Sequence, residues 1–231
     1  MSLPMPEQTA IIDVGVARGA VVKRRTQVER AQITQEKLVQ AAIELLKKRR
    51  YVGLRTLDVA ELAGLSKGAS THHFPTKDSL VLRALEEVYR ETHDQALERI
   101  ANGGHSTAQL LHALVEDSKD FFLGDDFLLS LDLLMVDPTS DLGSRVKELA
   151  RTYRLPVEQA WTDALLAAGH EPNAVDDVVR LTFALARGFG IRQLIGGPED
   201  EAERLMEVWL KTAQTMLEQK SSEKSIQKPR T

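Results

Sequence analysis

Side chains suited to catalysis or metal binding are few in this 231-residue chain, and their spacing suits neither. His72 and His73 are sequence neighbours. Adjacent helical side chains diverge by about 100°, whereas helical zinc pairs use i, i+4 spacing. The acid pairs Asp125-Asp126 and Asp176-Asp177 diverge in the same way and read as helix-start acids, not as a catalytic dyad. The sequence contains no HExxH, no GxSxG and no glycine-rich phosphate loop of the usual spacing. With no cysteine, disulfides, thiolate chemistry and Cys-based zinc sites are excluded. The reading is a non-enzyme with no metal and no cofactor.

The chemistry for which residues are in place is polyanion binding. Ser66, Lys67 and Gly68 open a short polar segment that Pro75 closes. Ser66 can cap a helix there, and backbone N–H groups at a helix start favour phosphate. Lys67 can reach guanine O6 and N7, and Gly68 lets the backbone come close to a ligand. Ser70, Thr71, His72 and His73 complete the segment; these residues, with Thr56, Ser66, Lys67 and Gly68, are the expected DNA contacts, His72 at a phosphate or a base.

Charge supports the same reading. The net charge is −4, yet from Arg18 to Arg83 there are 14 Lys/Arg against 6 Asp/Glu. From Glu91 onward the balance is 15 against 24. A basic leading portion on an acidic remainder suits a DNA-reading head on a body with another task.

Such residues need a frame of helices. Leu38, Ala41, Ala42, Leu45 and Leu46 lie on one helical face. Thr56 is placed to cap a second helix carrying Val59, Ala60 and Ala63, with Asp58 in its first turn. The break Gly64-Leu65-Ser66 precedes a third helix at Lys67–His73, a helix-turn-helix over residues 56–74. A fourth helix runs from Lys77 to about residue 101. Further helices are expected near 107–123, 126–136, 141–168, 173–195 and 199–219. Strand-like alternation is lacking, so the expected fold is all-α with about nine helices. Residues 1–31 read as a flexible basic arm, 32–80 as the DNA-binding domain, 81–219 as a helical body and 220–231 as a disordered tail. The arm, with Lys23-Arg24-Arg25, could contact DNA or be an unstructured leader. Neither a secretory signal nor a membrane-spanning run is evident, and a cytoplasmic location is expected.

The stretch from Thr34 to Leu80 resembles the tetracycline-repressor (TetR) family of regulators. The matching pieces are Thr56, Val59-Ala60, Ala63-Gly64-Leu65-Ser66-Lys67-Gly68, and Phe74 followed by Lys77 and Leu80. The resemblance implies that Phe74 packs in the domain core and that Lys77 touches a phosphate. It further implies a ligand-binding second domain and a homodimer on a palindromic operator. Three residues depart from the family pattern. Thr71 stands where a tyrosine is common, Ser70 where an apolar residue seats the helix, and Arg50 where a glycine closes helix one.

In the body, Phe122, Phe127, Leu131, Met135, Tyr153, Trp161 and Phe183 could line an apolar cavity or fill an ordinary core. Arg187 could meet an anionic ligand group or a neighbouring acid. Ala184, Gly188 and Ile191, with Leu205, Trp209, Ala213 and Met216, form two stripes that suit a dimer interface or their own domain. The function expected is a repressor released from DNA by a small apolar ligand. A DNA-architectural protein without effector and a regulator under a protein partner are the alternatives.

Overall fold

Periodic apolar faces and strong caps make this chain helical almost throughout. The computed structural model describes residues 26–226 except His105, and those residues form nine helices and no strand. They are α1 (Gln27–Gly53), α2 (Thr56–Leu62), α3 (Lys67–His73), α4 (Lys77–Asn102), α5 (Thr107–Phe122), α6 (Asp125–Leu134), α7 (Asp141–Ala167), α8 (Pro172–Leu194) and α9 (Glu199–Ile226). Among the described residues no helix is long and apolar enough to cross a membrane.

The caps explain most of these boundaries. Thr26 and Glu29 form a capping box that starts α1 at Gln27, well before the apolar pattern begins at Leu38. Residues 27–31, expected in the arm, are therefore helical, and the rest of that expected arm lies outside the described residues. Thr76 and Ser79 box the start of α4, and Ser66 caps α3 by accepting from the Ala69 N–H at 3.2 Å. Thr56 does not cap α2. The cap position is Arg55, whose extended backbone leaves Thr56 as the first helical residue. At the other end of the chain α9 continues to Ile226, past the expected end at residue 219. Residues 227–231 lie outside the described part.

One core runs through both portions. Leu38, Ala42 and Leu46 of α1 pack on Leu80, Ala84 and Leu85 of α4 with Val59 and Phe74. Phe74 is buried, as the resemblance implied. The carboxyl half of α4 packs on α7, and α5 and α8 close the body with α9 outside them. α4 thus belongs to both portions and fixes one against the other.

Arg50 carries a specific strain. Its backbone sits at φ 60, ψ 175, a conformation that glycine tolerates and a side chain does not. Its Nη1 is buried without a hydrogen-bond partner. Arg50→Gly is therefore expected to stabilise the protein by about 1 kcal/mol, the relief of strain exceeding the added chain entropy. Urea melts of the two proteins check this; a loss of stability would contradict the strain argument.

Candidate nucleic-acid interface and ligand cavity

The helix-turn-helix is built around Gly64. Its φ of 67 lets the chain reverse between α2 and α3. Leu65 is half-buried and its N–H donates to the Ala60 carbonyl at 2.9 Å, tying the turn to α2. α3 then presents Ser66, Lys67, Gly68, Thr71 and His72 to solvent. Thr71 Oγ1 donates to its own helix, to the Lys67 carbonyl at 3.0 Å. His73 is half-buried, its ring edge-on to His72 at 5.5 Å. A Cβ built on Gly68 would meet only Ser66 Oγ, at 3.9 Å, so nothing inside the fold demands glycine there.

Two expected contact residues are placed differently. Ser70 is 4% exposed and turned into the domain, so it is not on the presented face. Its small side chain is accommodated inside the domain, where an apolar residue is usual. Lys77 is half-buried, and its Nζ donates to the Tyr51 carbonyl at 2.5 Å and lies 4.1 Å from the Tyr51 ring centroid. Burial lowers its pKa, against the pull of Asp78 and Asp132. Thr56 is half-buried at the start of α2.

Tyr51 is a junction that pattern reading did not find. Its hydroxyl donates to Asp78 at 2.9 Å, and its N–H donates to Asp132 of α6 at 2.6 Å. Burial and Asp78 raise its phenol above the ordinary range. Lys47 and Asp126 add a 2.6 Å ion pair between the same two helices. The end of α1, the start of α4 and α6 are thus clamped together.

The opposite side of α6 faces a cavity of about 420 Å³ in the body. Phe122, Phe127, Leu131 and Arg187 line it, as expected from the sequence. Trp161 and Phe183 do not. Both are fully buried behind the wall, Trp161 donating Nε1–H to Asp117 at 3.0 Å and Phe183 packing on Phe122 at 6.0 Å. Tyr153 faces Glu86 and His93 outside the cavity. Met135 is 77% exposed because it ends α6 and turns outward. Tyr89, Ser130 and Arg154 line the cavity and were not foreseen. Arg154 had a readable signal: it falls on the apolar stripe of α7 with Val146, Ala150, Val157 and Trp161. Gly190 of α8 lets that helix approach Phe122 and Phe127 closely. A Cβ there would stand 2.1 Å from the Phe122 carbonyl oxygen.

The expected dimer stripes divide. Trp209 and Ala213 are buried in their own domain, and Trp209 donates Nε1–H to Thr182 of α8 at 2.8 Å. An indole with an internal partner is held inward, and Leu205 and Met216 are half-buried beside it. Ala184, Gly188 and Ile191 of α8 are exposed.

These features have known counterparts. Residues 38–84 match the sequence model of the bacterial regulatory proteins of the tetR family. The HTH-type transcriptional regulator CymR of Pseudomonas putida is 35% identical over 192 residues, which is 83% of this chain and 94% of CymR. The chain belongs to the TetR family. Solved structures agree with the fold of this TetR-family regulator. A TetR-family regulator from Mesorhizobium loti superposes with a TM-score of 0.67 at 16% identity, covering 81% of this chain and 96% of that one. A regulator from Saccharomonospora viridis in complex with choline gives 0.64 at 20% identity, covering 79% and 94%. The TetR-family chain is a DNA-binding transcriptional regulator, not an enzyme.

Proposed function

We propose that the protein is a homodimeric repressor that leaves a palindromic operator when a small molecule fills the cavity beside α6. The observation that carries this is the double role of α6. One side, through Ser130 and Leu131, lines the cavity; Asp126 and Asp132 hold Lys47 and Tyr51 of α1. A ligand that displaces α6 moves the clamp that seats Lys77 and the start of α4. The helix-turn-helix shifts with it. α4, continuous through both portions, is the second route. Operator affinity then falls by the ligand's differential affinity for the two shapes.

A second copy fits against α8. Leu181, Ala184, Gly188, Ile191 and Ile195 recur along one side of it, and all are exposed. A Cβ at Gly188 would meet nothing within 4 Å, so the surface is open to close helix approach. A two-fold dimer places its two α3 helices in successive major grooves about 34–36 Å apart.

Lys67 is the base reader in this proposal. Lys67→Ala is expected to weaken binding to an operator selected from random DNA by ~1–3 kcal/mol. Binding to unselected DNA should fall less. Unchanged operator affinity in a gel-shift titration would show that α3 is not the recognition helix.

A further inference from the structure

We infer that the cavity beside α6 takes a compact amphiphilic anion, its acid group on Arg154 and the Tyr89–Ser130 hydroxyls and its apolar body against Phe121, Phe122 and Phe127. This rests on the effector reading of the cavity and adds an acid group to the small apolar ligand expected from the sequence.

Arg154 is the starting point. Its guanidinium carbon lies 3.7 Å from the Phe121 ring centroid, in the cavity wall. Among the described residues it makes no hydrogen bond and no ion pair. The acids around it are engaged elsewhere. Asp117 accepts from Trp161 at 3.0 Å, and Glu158 faces Arg187 at 3.7 Å. Guanidinium remains charged at any physiological pH and carries five donors in a planar fork. Burial disfavours its charge, with Asp117, Tyr89 and Glu158 opposing from a distance. Arg154 is half-buried and opens onto the cavity, so its donors are presented to whatever fills that space. A carboxylate in the cavity supplies the acceptor.

Two further observations point the same way. The lining holds Arg151, Arg154 and Arg187 against one acid, Glu158, so an anion is attracted and a cation repelled. Tyr89 and Ser130 share a 2.5 Å bond in which either oxygen can donate. Two hydroxyls have two protons and that bond uses one. The other is available to a ligand oxygen, and burial raises the Tyr89 phenol, so it keeps its proton. The remaining wall fixes the body of the ligand. Phe121, Phe122 and Phe127 stand edge-to-face at centroid distances of 5.0–6.2 Å. They offer ring edges and faces to an aromatic or branched apolar group. The volume of about 420 Å³ is near the small end of ligand cavities, so the molecule is compact.

Calorimetric titration of the full-length protein at neutral pH tests this with benzoate and octanoate against benzamide and octanamide. At least one acid is expected to bind 10-fold or more tightly than its amide and to release operator in a gel shift. Arg154→Met keeps the length of the side chain without its charge and should erase that preference; Arg154→Lys should restore part of it. Amides binding as well as acids, or a preference that survives in R154M, overturns the anion assignment and leaves the effector reading intact. Failure of all four probes overturns the assignment too. The effector reading is then judged by Leu131→Trp, which fills the cavity: an operator affinity changed 10-fold or more supports it, and an unchanged one overturns it.

Discussion

Alanine at Trp161 is expected to destabilise the protein by about 3–5 kcal/mol. The indole is fully buried, so its removal leaves a large void at the centre of the body. It also removes the Nε1–H donor of Asp117, itself only 8% exposed. At roughly 2–4 °C of melting temperature per kcal/mol for a chain of this size, the transition should fall by about 10–15 °C. Trp161→Phe weights the two losses differently, since it keeps much of the volume while giving up the donor, whose loss costs about 1–3 kcal/mol. The pH dependence identifies which loss is which. Burial holds the Asp117 carboxyl above the ordinary range, with the Trp161 bond and then Arg154 and Arg99 pulling it back. A folded pKa raised above the unfolded one contributes stability that is fully present below the unfolded value. That contribution is lost as pH rises through the folded value. Trp161→Phe withdraws the largest opposing pull, so the folded value climbs further. The stability gap between wild type and W161F should then widen from mildly acid to neutral pH. Urea melts at the two pH values that gave a constant gap would refute this account of Asp117.

What could be read in advance follows from the range of the interactions. Helix periods and the turn at Gly64 are local, and so the helix-turn-helix and the later helix boundaries, apart from the end of α9, were legible within a few residues. The start of α1 was not, because Thr26 and Glu29 are polar and give no apolar period; only the capping box marks it. Sites assembled across helices were less legible. Phe122, Phe127 and Leu131 were found because they are apolar and clustered in sequence. Tyr89 and Ser130 are 41 positions apart and meet only because α4 packs beside α6. Trp209 shows the opposite error. A tryptophan on an apolar stripe suits an interface or a core equally, and Thr182, 27 positions earlier, decides for the core. Departures from the family pattern proved informative. Arg50 occupies a glycine conformation with the strain that implies, and Ser70 is buried where an apolar residue is usual.

The largest functional effect is expected from Gly68→Glu. Gly68 is the second residue of α3 and is exposed, with no atom but Ser66 Oγ within 4 Å of a built Cβ. Glutamate has a better helix propensity than glycine, and an acid in a first turn faces the positive end of the helix. The variant should therefore melt at or slightly above the wild-type temperature. On DNA the same side chain sets two methylenes and a negatively charged carboxylate where α3 must approach phosphates and base edges. Juxtaposed like charges cost several kcal/mol, and a dimer carries the change twice. Operator affinity should fall by about 10³-fold or more, the equivalent of roughly 4 kcal/mol at 1.4 kcal/mol per decade. Effector binding in the cavity, which lies in the body away from α3, should be unaffected. The pairing of an intact fold with lost DNA binding is what distinguishes a contact surface from a structural one. If G68E bound operator within 10-fold of wild type while melting normally, the outer face of α3 would not be the face that enters the groove.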